Sequence, residues 1–193
     1  MAVTTDNKVS IRLMSGGHSF SERAATSEAL MSATTPMVEV ITSKVTLLPE
    51  EMSSAATPKE HLQAAGITLN SEEVAIMSTP HNGMVAAMAI EQSSYRSITE
   101  LKKEVRFTTP LLAENESYEV VITLHGSVLY VVIANPALRL AEAIEVDNDA
   151  DILYYIESIA RVYNIYDMRA RAKGDTSRLQ KLLKHQFKYL VCE

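Results

Sequence analysis

Cysteine is nearly absent: Cys192 is the only one in 193 residues. No disulfide can form within the chain, and no Cys-x-x-Cys metal site can be built. Long apolar runs are missing too, since nothing approaches the ~18 residues that would span a bilayer. The opening MAVTTDNKVSIRLM has no basic segment followed by an apolar one, so it does not read as a secretory signal. Membrane insertion is not expected, and a cytoplasmic location is. Excess positive charge is also lacking. A formal charge of −6 gives no electrostatic reason to expect nucleic acid as a partner. The motifs GxxxxGK[ST], GxGxxG after a strand, HExxH and GxSxG do not occur. The five histidines, His18, His61, His81, His125 and His185, show no metal-ligand spacing. No catalytic residue, metal or cofactor is assigned.

What is present describes a folded α/β protein. Hydrophobic residues make up 47% and charged residues 22%, the balance of a chain with a packed core. A chain of this length can bury ~70% of its unfolded surface. Lys8 to Met14 alternates as a half-buried strand, Ser15-Gly16-Gly17 is a turn, and His18 to Ser21 can return as a second strand. Residues 22–35 read either as a weak helix or as a connection. Val38 to Leu48 is β-branched and alternating, hence one strand or a bent pair. Thr57-Pro58-Lys59-Glu60 marks a helix start and Gly66 its end. Asn82-Gly83 joins Val74–Ser78 to Met84–Ile90 as a hairpin. Tyr95, Ile98, Leu101 and Val105 then recur at helical spacing.

The second half repeats the order. Tyr118 to Leu124 is a strand, His125-Gly126-Ser127 a turn, Val128 to Ala134 a very apolar strand and Leu138 to Val146 a third. Asn148 or Asp149 caps a helix with Ile152, Tyr155 or Ile156, Ile159 and Tyr163 on its apolar face. Met168 to Ala172 is a further strand. After Gly174, Asp175 or Thr176 caps a last helix with Leu179, Leu182, Leu183, Phe187 and Leu190 on one side. The basic residues from Arg169 to Lys173, with Arg178, Lys181, Lys184 and Lys188, read as the solvated face of that helix. Strand, glycine turn, strand, strand, helix thus occurs twice. A boundary in the polar stretch 113–117 divides the chain into residues 1–112 and 113–193.

This doubled plan resembles that of the actin, sugar kinase and heat-shock ATPase superfamily, whose lobes are ribonuclease H-like. The stretches VSIRLMSGGHSFS, VEVITSKVTLLPEEM, NGMVAAMAI and EVVITLHGSVLYVVIAN, running into DADILYYIESIARVYNI, resemble an uncharacterised Bacteroidetes family with an actin-like ATPase fold. The resemblance implies a two-lobed α/β protein, each lobe a mixed sheet packed with helices, the first lobe shortened. It also implies that the two glycine turns correspond to those holding phosphates in ATP-hydrolysing relatives. The candidate binding residues are then Gly16, Gly17 and Ser19 in the first turn, Gly126 and Ser127 in the second, and Gly174 where an adenosine would lie.

Those relatives carry a carboxylate in the turns, because Mg²⁺ takes hard oxygen ligands and phosphoryl transfer rests on positioning and charge neutralisation. Neither SGGHS nor HGS contains Asp or Glu. Asp147, Asp149 and Asp151 could replace them, but acids in a helix's first turn usually serve the helix itself. The sequence therefore favours a non-catalytic interaction protein whose partner is a protein, with a homodimer as an open option. The alternative is a divergent nucleotide- or phosphometabolite-binding enzyme using a cleft between the lobes.

Overall fold

The computed structural model describes residues 10–14, 36–101, 104–112 and 118–193. The chain divides into two compact units, Met1–Leu112 and Ala113–Glu193.

In the first unit, β1 (Ser10–Met14), β2 (Met37–Ile41) and β6 (Arg106–Thr108) form a parallel sheet with β2 in the middle. A second, antiparallel sheet has the order β3 (Val45–Pro49), β5 (Met84–Glu91), β4 (Glu73–Met77). Val38 to Leu48 is therefore a bent pair of strands shared between two sheets. The break is a turn in which Val45 N donates to Ser43 O at 3.1 Å and Lys44 N to Thr42 Oγ1 at 3.1 Å. Helix α1 (Pro58–Ala64) begins with a full capping box: Glu60 N donates to Thr57 Oγ1, and Thr57 N to the Glu60 carboxylate at 2.7 Å. The Thr57 backbone N–H first, and then the Thr57 hydroxyl donating to the same carboxylate at 2.8 Å, hold the Glu60 carboxyl below its ordinary pKa. At the other end Gly66 N bonds Gln63 O and Ile67 N bonds Leu62 O, which is a Schellman motif. Leu62 then packs with Leu48, Val85, Ala87 and Ala89 on one face of the antiparallel sheet. The β4–β5 hairpin closes through Asn82 (φ 50°) and Gly83 (φ 73°), the pair of positive φ angles that a type I′ turn requires. Helix α2 (Gln92–Leu101) follows β5 directly.

In the second unit a five-stranded sheet has the order β11 (Tyr189–Cys192), β10 (Arg169–Gly174), β7 (Glu119–His125), β8 (Val128–Ala134), β9 (Leu138–Glu145). β7, β8 and β9 are an antiparallel meander, while β10 joins β7 in parallel and β11 joins β10 in parallel. Helices α3 (Asp149–Tyr163) and α4 (Thr176–Leu183) supply Ile152, Ile156, Leu179 and Leu183 to one core with Val120, Ile122, Leu129, Val131, Ala170 and Ala172. All seven residues of β8 are buried and both its neighbours are paired, so this apolar strand lies inside the sheet and not at an edge. Asn148 caps α3, its Oδ1 accepting from Ala150 N and Asp151 N, while the Asp151 carboxylate accepts from Asn148 N in return. Asn148→Ala is expected to lower stability by about 1 kcal/mol, read as a lower urea midpoint at unchanged m-value.

Three expectations are corrected. Met37–Ile41 is not the third strand of a meander as β9 is: it is bonded to β1 in parallel, as β10 is to β7 in the second unit; residues 15–35, including the expected strand His18–Ser21, lie outside the described residues. The last helix stops at Leu183, and Leu190 belongs to strand β11. Finally, Arg169, Arg171 and Lys173 are not on a helix. They alternate along β10 with the buried Ala170 and Ala172, so they occupy the sheet face opposite the helices.

Candidate functional site

Parallel pairing puts the carboxyl ends of β7 and β10 side by side, with Leu124 opposite Gly174. At this end the chain turns through Gly126 (φ 58°) and Ser127 into β8. Ser127 O accepts a hydrogen bond from Val146 N at 2.8 Å, which draws the end of β9 and the start of α3 to the same place. Helix α4 starts here as well, immediately after Gly174, with Asp175 as its N-cap. The expected residues Gly126, Ser127 and Gly174 are thus gathered at one end of the sheet. Carboxyl ends of strands and helix N-termini together are where α/β folds bind anions. Gly16, Gly17, Ser19 and His18 lie outside the described residues.

Three acids at this end, Asp149, Asp151 and Asp175, are engaged by the fold. Asp151 Oδ2 accepts from Asp147 N at 2.9 Å and Asn148 N at 3.2 Å. Asp175 Oδ1 accepts from Arg178 N at 3.1 Å. Asp149 Oδ1 takes Arg178 Nε at 2.6 Å, an ion pair tying the first turn of α3 to that of α4. Gly174 is closed in as well. With φ 77°, a Cβ there would overlap the Leu124 carbonyl oxygen and come within 2.9 Å of His125 Cε1. Its missing side chain is filled by the neighbouring strand and imidazole. Asp175 N also donates to Leu124 O at 2.9 Å, which pins the junction. Among the described residues no group of three or more His, Cys, Asp or Glu side chains is placed to hold a metal ion.

The sequence reading missed a charged cluster on the other sheet face. Glu119 is 1% exposed and lies 2.8 Å from Arg171 Nε and 3.8 Å from Arg169 Nε. Glu193 pairs with Arg171 Nη1 at 3.4 Å and with Lys173 Nζ at 3.3 Å. Burial opposes charge on Arg171, but hydrogen bonding and attraction from Glu119, then from Glu193, outweigh it and raise its pKa. The signal was the period-two pattern Arg-Ala-Arg-Ala-Lys, which a strand separates into a charged face and an apolar one.

No protein-family model matches this chain, and no curated protein does. Among solved structures, a Bacteroides thetaiotaomicron protein described as having an actin-like ATPase fold and unknown function superposes with a TM-score of 0.68. The match covers 86% of this chain and 71% of that one, at 17% identity. This chain has the actin-like ATPase fold. The cytoplasmic domain of EpsL, an inner-membrane component of the Vibrio cholerae type II secretion system, gives a TM-score of 0.46 at 10% identity, covering 95% of this chain and 84% of that one; that likeness is too slight to carry an argument. Among the described residues of this actin-like chain, no helix is long and apolar enough to cross a membrane.

Proposed function

We propose that this chain is a non-catalytic interaction protein on a degenerate actin-like frame, working in the cytoplasm through protein contacts, with residues 1–112 serving as a shortened first lobe. One observation carries the reading: at the carboxyl ends of β7 and β10, Asp149, Asp151 and Asp175 are bound to backbone N–H groups or to Arg178. Each accepts these bonds through one oxygen and is held in that orientation by the helix start it serves. Gly174, which would leave room for a nucleoside, is covered by Leu124 and His125. A scaffold needs the frame and its surfaces, and it has no need of a magnesium site.

The reading predicts that millimolar MgATP leaves the melting temperature of the protein unchanged, since a ligand stabilises only what it binds. A rise that requires both ATP and magnesium would overturn it in favour of a divergent nucleotide-binding enzyme. That second reading draws support from the two helix N-termini gathered beside the Gly126–Ser127 turn.

A further inference from the structure

Asn82-Gly83 is the only Asn-Gly step in the 193 residues. In such a step the backbone nitrogen of the second residue can attack the side-chain carbonyl of the asparagine, because glycine brings no Cβ into the path. Here the pair forms the tip of the β4–β5 hairpin, and both residues are exposed. A Cβ built on Gly83 would meet nothing within 4 Å, so the nitrogen is uncrowded, and among the described residues the Gly83 N–H has no acceptor. The backbone bonds that close the hairpin, His81 N to Met84 O at 2.8 Å and Met84 N to His81 O at 2.9 Å, do not involve the pair itself. The tip can therefore distort while the strands stay joined. Asn82 Nδ2 donates to His81 Nε2 at 3.2 Å, which sets an imidazole against the nitrogen that would leave. Other asparagines are held differently. Asn148 Oδ1 accepts from two N–H groups and Asn70 Oδ1 from Glu72 N at 2.8 Å, while Asn135 precedes Pro136, which has no N–H to attack with.

We infer that Asn82 is a site of intramolecular deamidation, with the His81 imidazole giving a proton to the departing ammonia. Gly83 N forms a bond to Asn82 Cγ as its own proton passes to water. The Cγ–Nδ2 bond then breaks, and the nitrogen leaves as ammonia with a proton from the protonated imidazole, which regains one from water. A water molecule opens the resulting cyclic imide at either carbonyl, giving aspartate or isoaspartate. One water enters, one ammonia leaves, and nothing is oxidised or reduced. Both products add a carboxylate near the exposed Glu50, whose N donates to Gly83 O at 2.8 Å. Isoaspartate also lengthens the backbone by one carbon, which a two-residue turn does not accommodate, so that bond is lost. The inference does not depend on the interaction role proposed above.

The test incubates the folded intact chain at neutral pH and follows the peptides of a digest by mass and chromatography, which resolves asparagine, aspartate and isoaspartate. Asn82 is expected to convert first among the asparagines, with ammonia released in step. His81→Gln keeps a polar side chain at the tip but has no proton to give as an acid, and should slow the conversion by at least about tenfold. A urea midpoint confirms that the variant folds, and His81→Thr, which suits a strand end, replaces it if it does not. In urea, where the contact is gone, native chain and variant should convert at one rate. The inference fails if Asn82 converts no faster than the other asparagines, or if the folded variant converts as fast as the native chain. It fails equally if the difference between the two persists in urea.

Discussion

Gly174→Ala is expected to lower stability by about 3 kcal/mol. Part of the loss, about 1–2 kcal/mol, comes from putting an L-residue at φ 77°. The rest is steric. The added methyl overlaps the carbonyl of Leu124, which is itself bonded to Asp175 N, and overpacking of this kind costs about 1–3 kcal/mol. The strand end cannot give way without loosening the α4 cap. Gly66 provides the control. It has the same φ of 77°, and a methyl added there meets nothing within 4 Å, so Gly66→Ala should cost only about 1–2 kcal/mol. Urea unfolding of both variants separates the two contributions. Equal losses at the two positions would mean that the contact with Leu124 contributes nothing.

The second large effect concerns the charged face of the second unit's sheet. Glu119→Ala leaves Arg171, whose side chain is 14% exposed, facing a cavity where its carboxylate partner stood. Removing one member of a buried pair costs about 3–5 kcal/mol when the other charge is left uncompensated, and because Glu193 stays 3.4 Å from Arg171 the loss should lie at the lower end of that range. Arg171→Met alone should be costly for the same reason, with Glu119 at 1% exposure now left without its nearest guanidinium. The joint replacement Glu119→Leu with Arg171→Met removes both charges and fills the space with apolar atoms. Its cost should fall short of the sum of the single losses by at least about 1 kcal/mol. Strict additivity in that double-mutant cycle would show that the two side chains are adjacent without being coupled.

Much of the fold was legible because its signals are local. Thr57 and Glu60, Asn148, Asp175 and Asn82-Gly83 each fix a cap or turn through bonds to residues no more than four positions away, and each lies where its pattern indicated. What escaped depends on distant pairing. Leu179, Leu183, Phe187 and Leu190 keep helical spacing, yet β11 forms because its backbone pairs with β10 in parallel, a choice that no spacing within the segment encodes. The division of Val38–Leu48 between two sheets likewise depends on partners at 84–91 and 106–108. At the candidate site the residue types were readable and their use was not. Gly174 stood out as a glycine after a strand, but only its geometry tells that Leu124 and His125 occupy the vacated space. The Glu119–Arg171 pair joins residues on strands far apart in the chain and had no local trace beyond the alternation along β10.

The burial of β8 also has a kinetic side. It is joined to β7 by two residues, so the most enclosed pair of strands in the second unit is also among its most local contacts. A hairpin of this kind can form within microseconds, before the longer connections to β10 and β11 close. Once the sheet is complete, its amides have no route to solvent except through opening of the unit as a whole. Proton exchange should therefore be slowest along Val128–Ala134 and fastest at the four-residue margin Tyr189–Cys192, making the centre of the sheet both an early feature to form and the last to be surrendered.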